Sequence, residues 1–119
     1  MADGGNEEKA EKAAKAWLLL IDEGKYEESW ETASVYFRNS ITKEKWVKML
    51  TTVRMPLGRL VFRRLDTITY KSYLPGAPDG EYMIVQFKTS FENKKSAIET
   101  ITTMLDRDGN WRVAGYYIR

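Results

Sequence analysis

The fold of this chain is decided by residues 82–105, which read YMIVQFKTSFENKKSAIETITTML. Apolar side chains alternate with polar ones over much of this stretch, and alternation with a period of two is typical of a β-strand. Asn93 and Lys94 interrupt the alternation with residues that favour a turn. The stretch therefore predicts two antiparallel strands, over about residues 80–91 and 96–106, joined by a short turn.

Two further strands flank this hairpin. The residues after Gly58 are rich in β-branched and aromatic types, which predicts a strand over about 59–73, and the last one covers about 110–119. The segment Leu74–Gly80, with two prolines and two glycines, forms a wide loop that either rims a pocket or only connects two strands. Asp108 and Gly109 form a tight turn. Hairpins in series predict a four-stranded antiparallel meander.

Before Gly58, the apolar residues recur at spacings of three and four, which is typical of amphipathic helices. We predict three helices: one from Glu7 to Gly24, one over 26–37, and one that starts at the N-cap Thr42 and stops before Pro56. The predicted buried stripe of the third helix is Trp46, Met49, Leu50 and Val53. Three helices followed by four strands predict an α+β fold, with the helices packed on one face of a curved sheet.

The length of 119 residues predicts a single domain over residues 7–119, preceded by a segment, 1–6, that is disordered or was added for expression. With 43% hydrophobic and 30% charged residues, the chain resembles ordinary globular proteins. Its longest apolar run, Ala16–Ile21, is far shorter than the roughly 20 residues that span a bilayer. The start lacks the basic and apolar regions of a signal peptide, so we expect neither a membrane span nor such a signal.

Composition excludes several kinds of chemistry. The chain has no cysteine and no histidine, so thiol nucleophiles, imidazole acid-base catalysis and ordinary zinc sites are ruled out. A net charge of +2 without a basic stripe argues against nucleic-acid binding. No phosphate-binding loop, metal-ligand cluster or cofactor motif is present, so we predict no metal and no cofactor.

Several short motifs resemble the bacterial domain of unknown function 4019 family. They are Ala16-Trp17-Leu18, Pro56-Leu57-Gly58, the loop Leu74–Gly80, and Trp111-Arg112-Val113, which occur in the same order as in that family. The resemblance covers nearly the whole chain. It implies a nuclear transport factor 2-like, or cystatin-like, cone fold, in which helices close one side of a strongly curved sheet.

The resemblance carries three further implications. Relatives commonly have an export signal, which implies a periplasmic or secreted location. Proteins with cone folds often form dimers through the sheet, and many hold a small ligand inside the cone. The family itself has no assigned activity, so the resemblance supports the fold more than any function.

Glu99 is the most unusual residue of the predicted sheet. It shares its strand phase with Ala97 and Ile101, which we expect to face the helices. A buried carboxylate needs a cationic or hydrogen-bonding partner, for which Arg54 and Arg63 are the candidates. Glu99 is thus either a pocket base or ligand anchor, or, as we prefer, half of a structural ion pair.

Other candidates are less specific. Most aromatic residues are expected to fill the core, and only Trp30 and Tyr116 are kept as candidate ligand-binding residues. Asp22, near the end of the first helix, is interpreted as a capping or solvent-exposed residue. A bulge near Arg63 and Arg64 would flip the register of the first strand, so the sequence leaves the direction of these arginines open.

The outer face of the sheet is unusually apolar for a surface. Its predicted members are Tyr82, Ile84, Ile98, Thr100, Thr102 and Met104, with Tyr116 and Ile118 as candidates for the same face. Such a patch predicts a homodimer through the outer sheet face. The alternative is a threonine-rich solvated face with scattered apolar residues.

The preferred functional hypothesis is a non-catalytic module that binds a small apolar or amphipathic ligand, or another protein, with a pocket between helices and sheet. A first alternative is a small isomerase-like or hydrolase-like enzyme that uses Glu99 as its base. A second alternative is an assembly accessory protein whose cone is filled by its own side chains. The residues assigned to a ligand site are Glu99, Arg63, Arg54, Trp30 and Tyr116.

Overall fold

A computed structural model of the protein describes residues 4–119. The helices are α1 (Gly4–Asp22), α2 (Tyr26–Glu31), α3 (Val35–Ser40) and α4 (Lys43–Val53), followed by a short 3-10 turn, Met55–Leu57. The strands are β1 (Leu60–Lys71), β2 (Tyr82–Phe91), β3 (Lys94–Leu105) and β4 (Trp111–Ile118). Residues 4–6 of the segment predicted to be disordered form the first turn of α1, and residues 1–3 lie outside the described part.

The four strands form one antiparallel sheet in the order β1-β2-β3-β4. This order confirms the predicted α+β fold, in which helices precede an open meander. Side chains on one side of the sheet pack against the helices, and we call this side the inner face and the opposite side the outer face. The packed core is continuous from α1 through the inner faces of β2, β3 and β4.

The predicted second helix is broken into α2 and α3. Ser34 caps α3, because its hydroxyl accepts a hydrogen bond from the Phe37 amide at 3.1 Å. The Ser34 amide is not available to a continuous helix, because it donates to the Val113 carbonyl of β4 at 2.9 Å. The capping side chain and this bond to the sheet together explain the interruption.

The third predicted helix corresponds to α4, and Thr42 caps it as expected, accepting from the Lys45 amide at 3.3 Å. The predicted stripe is only half right. Trp46 and Leu50 are buried, whereas Met49 and Val53 are about half exposed, at 50% and 51%. The α4 helix therefore meets the core along a narrower strip than its apolar spacing suggests.

The aromatic core is organised around Ser29. The indole of Trp17 donates to the Ser29 carbonyl at 2.7 Å, and the indole of Trp46 donates to its hydroxyl at 3.0 Å. The Trp46 ring also lies 4.8 Å from the Phe37 ring, edge to face. Both buried indole groups are thus satisfied, which confirms that these aromatic residues serve packing.

Three bulges set the register of the edge strands. In β1 the extra residues are Val61 and Asp66, so two bulges flank Arg63 and Arg64, near which the sequence suggested one. In β4 the extra residue is Ala114, because Thr102 pairs with Gly115 while Thr103 pairs with Val113.

These bulges decide which residues face the helices. Arg63 pairs with Thr89 and points to the inner face. Tyr116 and Ile118 pair with Ile101 and Glu99, so they also belong to the inner face. The expectation that Tyr116 and Ile118 share the outer face is therefore wrong, because the bulge at Ala114 inverts the alternation of the last strand.

Candidate functional site

Glu99 lies on the inner face of β3 and is completely buried. One oxygen, Oε1, accepts from Arg63 Nε at 2.6 Å and from the Thr89 hydroxyl at 2.7 Å. The other, Oε2, accepts from Arg63 Nη2 at 3.1 Å and from the Tyr116 hydroxyl. A carboxylate offers about four acceptor positions, so the protein's own donors fill all of them.

Arg63 joins this carboxylate to a second one. Its Nη1 lies 2.7 Å from Oδ2 of Asp22, and its Nη2 lies 3.1 Å from Oδ1. The guanidinium therefore makes two-point contacts with both Glu99 and Asp22, a geometry that its planar fork of N–H groups favours.

Arg54 completes the group of charges. Its Nη2 lies 3.3 Å from Oδ1 of Asp22, and its Nη1 donates to the Gly58 carbonyl at 2.6 Å. Its guanidinium also stands 4.5 Å above the ring of Phe91. Two carboxylates and two guanidinium groups balance in charge, and we call Asp22, Arg54, Arg63, Thr89, Glu99 and Tyr116 the buried charge cluster.

Four members of the cluster come from places where an element ends or changes register. Asp22 is the last residue of α1, and Arg54 is the C-cap of α4. Arg63 lies between the two bulges of β1, and Tyr116 follows the bulge of β4. The cluster thus connects both long helices to all four strands in one network.

The cluster changes the acid-base behaviour of Tyr116 and Arg63. Burial raises the pKa of the Tyr116 hydroxyl far above its ordinary value, and the negative charge of Glu99 raises it further. Burial would lower the pKa of Arg63, but its hydrogen bonds and charge interactions with Asp22 and Glu99 outweigh burial and raise the pKa. Both groups are therefore held in their ordinary protonation states at neutral pH.

Four of the five sequence-predicted site residues meet in this cluster: Glu99, Arg63, Arg54 and Tyr116. Trp30 is bonded elsewhere, since its indole donates to the Ile41 carbonyl at 2.8 Å and Lys43 Nζ lies 5.7 Å from its ring centre.

Sequence analysis missed Asp22 and Thr89 as cluster members. The interpretation of Asp22 as a capping or solvent-exposed residue was wrong, because its carboxylate binds Arg63 and Arg54. A signal was present, since Asp22 follows Leu18 by four residues and continues the buried stripe of α1. Thr89 likewise follows Phe87 by two residues on the inner phase of β2.

A separate groove lies at one end of the sheet. It has a volume of about 1010 Å³ and is lined by α3, by the end of the loop between β1 and β2, and by the turn between β3 and β4. None of the six members of the buried charge cluster lines it. The loop Leu74–Gly80 contributes Pro78, Asp79 and Gly80, so it rims a groove and does not serve only as a connection.

Side chains hold the walls of this groove in place. The Tyr36 hydroxyl of α3 donates to the Gly76 carbonyl at 3.3 Å, and the Tyr82 hydroxyl donates to the Pro78 carbonyl. In the turn between β3 and β4, Arg112 lies 2.9 Å from Asp108. Hydrogen bonds from Arg112 lower the pKa of Asp108 far below its ordinary value.

The groove combines apolar side chains with charged ones of both signs, namely Glu31, Asp79, Asp106, Asp108, Arg38, Arg107 and Arg112. Its apolar members are Ala33, Val35, Tyr36, Pro78, Met104 and Leu105. Arg38 is half-buried, its Nε donates to the Ala33 carbonyl at 3.2 Å, and it forms no ion pair within residues 4–119. In the same described range, no cluster of three or more acidic side chains is placed to hold a metal ion.

Helices that cover one face of a four-stranded meander, with a charge-balanced buried cluster between them, define a small α+β domain. A family model described as Protein of unknown function (DUF4019) matches residues 13–116, and the chain belongs to that family. This match confirms the resemblance noted from the short motifs. No curated protein and no solved structure is significantly similar to the chain. Among residues 4–119, no helix has both the length and the apolarity needed to cross a membrane.

Proposed function

We propose that this protein is a non-catalytic binding or interaction module, and that its ligand site is the groove at the end of the sheet. The observation that carries the proposal is the groove itself, which three separate segments line and in which side-chain hydrogen bonds fix the loop before β2. A volume of about 1010 Å³ is ample for a small ligand. We also propose that the protein is periplasmic or secreted, as the family resemblance implies.

The state of Glu99 supports a module without catalysis. A general base needs a free lone pair directed at its substrate. All four acceptor positions of Glu99 receive hydrogen bonds from Arg63, Thr89 and Tyr116. The saturated Glu99 therefore favours a core filled by the protein's own side chains over an enzyme that uses Glu99 as its base. For the same reason we place the ligand site at the end of the sheet and not on its inner face.

The lining of the groove suggests the chemistry of the ligand. The apolar side chains suit an aliphatic or aromatic body, and Arg38, without an acidic partner in the described residues, suits an acidic head. The ligand that we propose is a small amphipathic carboxylate, which is a narrower form of the apolar or amphipathic ligand expected from the sequence.

We also propose a homodimer through the outer sheet face. Ile84, Ile98 and Met104 are partly exposed there and supply an apolar surface. Tyr82 and Thr100 are already buried within one copy and add little to it. Gln86 bonds to both Thr67 and Thr100 and makes the middle of the face polar, so the apolar contact would lie on either side of it.

The groove proposal is tested by following backbone amide NMR shifts of the purified protein while octanoate or octanol is added. Octanoate should shift the amides of Val35, Tyr36 and Met104, and octanol should do so more weakly. Arg38→Gln should weaken octanoate binding about tenfold without changing octanol binding, since only the acid uses the guanidinium. Arg59→Gln, which changes an exposed arginine outside the groove, is the matched control. Shifts that avoid the groove would overturn the proposal.

A further inference from the structure

The strand β1 is an unusually open edge. It stands at one end of the strand order, and no other strand pairs with its far side within residues 4–119. Most of its residues are exposed, including Val61 at 65% and Phe62 at 51%. Long edge strands with apolar side chains are templates for pairing with another strand.

Backbone hydrogen bonds show which peptide groups of β1 are free. The Glu81 carbonyl accepts from Leu105 of β3, and the Gly80 amide donates to Ser72, so residues of β2 with even numbers face β1. Their partners are Thr67, Thr69 and Lys71. By alternation, the peptide groups of Ile68 and Tyr70 point away from the sheet, to the open edge.

We infer that β1 pairs with β1 of a second copy, antiparallel and centred on Thr69. In this register Ile68 lies opposite Tyr70 of the second copy, and Tyr70 lies opposite its Ile68. All the free peptide groups of both residues then find partners, because these two positions are the ones that point outward. Pairs of an aromatic and a β-branched side chain are also favourable neighbours across strands.

Charge and apolar surface agree with this register. Lys71 of the second copy comes opposite Thr67 and so lies beside Asp66. The Asp66 carboxylate is on the outer side of the strand, where its Oδ1 lies 3.9 Å from Lys88 Nζ of the same copy. Each Lys71 thus meets an acidic group of the other copy. At the ends of the paired segment, exposed Leu65 of one copy approaches exposed Tyr73 of the other.

The bulges at Val61 and Asp66 limit the length of this contact. They leave Thr67 to Lys71 as the regular stretch next to the loop. Five residues on each side bury less than a standard interface of about 1,600 Å², so the dimer forms only at high protein concentration. The contact uses the edge of the sheet, and it is independent of the proposed groove and of the proposed outer-face dimer.

The test uses single cysteines, because the chain has none. In the proposed register Thr69 of one copy lies opposite Thr69 of the other. The two form a non-hydrogen-bonded pair, in which the Cα atoms are about 4.5 Å apart, a distance that a disulfide can bridge. Thr67 is the matched control, an exposed threonine on the same face of the same strand. The two copies of Thr67 are offset by four residues, or about 13 Å. Under mild oxidation, Thr69→Cys should form covalent dimers at least about tenfold faster than Thr67→Cys.

Two further variants separate the edge from the outer face. Tyr70→Pro removes an outward N–H, so adding it to Thr69→Cys should slow cross-linking at least about tenfold. Thr102→Cys, at the middle of the outer face, reports a face-to-face dimer. If Thr69→Cys cross-links no faster than Thr67→Cys, or if Tyr70→Pro leaves its rate unchanged, the edge pairing is wrong whatever Thr102→Cys does.

Discussion

The Tyr116 hydroxyl of β4 donates a hydrogen bond to Glu99 of β3, although strand alternation counted from Trp111 would place Tyr116 on the other face. The extra residue Ala114 inverts the alternation and turns the phenol inward. Its ring then packs edge to face on Trp17 at 5.3 Å. A single bulge thus supplies the buried charge cluster with one of the four donors of Glu99.

The first prediction concerns the cost of disturbing the cluster. Glu99→Gln removes a buried charge that faces Arg63, and breaking a buried pair in this way should lower the free energy of unfolding by about 3 kcal/mol. Urea unfolding measures it. Glu23→Gln, which alters a half-exposed pair with Lys25, is the control and should cost less than about 1 kcal/mol. Equal losses in both variants would mean that the cluster contributes no more than a surface pair.

The second prediction is an alkaline loss of stability that depends on Tyr116. Burial and Glu99 raise the pKa of this phenol in the folded protein, whereas in the unfolded chain it titrates near the ordinary value of about 10. The contribution of Tyr116 is therefore complete below about pH 10 and falls as the pH rises further, because only the unfolded chain then releases the proton.

Unfolding curves at several pH values check this. Wild type should lose stability above about pH 10 more steeply than Tyr116→Phe does, while Tyr117→Phe, which changes the exposed neighbour, should keep the wild-type slope. Identical slopes for wild type and Tyr116→Phe would contradict the prediction.

The third prediction compares two glycines with nearly the same positive φ. Gly24 and Gly58 have φ values of 78° and 77°, so alanine is strained at both, and the ψ of −157° at Gly58 lies in a region that almost only glycine adopts. A Cβ at Gly24 meets open space, whereas at Gly58 it would lie 2.7 Å from Glu92 Oε1. Gly58→Ala should therefore lower the thermal midpoint more than Gly24→Ala, and equal shifts would show that Glu92 moves aside at no cost.

The fourth prediction tests the direction of the peptide groups in β1. Thr69→Pro removes an N–H that faces β2, so it should cost more than about 1 kcal/mol in the free energy of unfolding. Tyr70→Pro removes an N–H that faces the open edge and should cost no more than Tyr70→Ala, which reports the loss of the side chain alone. The unfolding is measured at low protein concentration, where the proposed edge dimer does not form, so that both comparisons report on the monomer. A larger cost for Tyr70→Pro than for Thr69→Pro would reverse the assignment.

Regular patterns made much of this structure predictable. The four strands lie within a few residues of their predicted places, because alternation and turn residues are local properties of the chain. The burial of Glu99 also followed from its strand phase, and its need for a cationic partner made Arg54 and Arg63 the candidates, of which Arg63 is the one in contact. The absence of cysteine and histidine excluded whole classes of chemistry without any structure.

Tertiary structure alone decided the remainder. A bulge adds one residue to one strand, and its place depends on how the neighbouring strand fits, which is why Val61, Asp66 and Ala114 were not identifiable in advance. The break before α3 depends on a bond from Ser34 to a strand almost 80 residues later. The groove depends on three segments that are distant in sequence and meet only at the end of the folded sheet. Local periodicity determines which elements form, whereas long-range packing determines which of their residues meet.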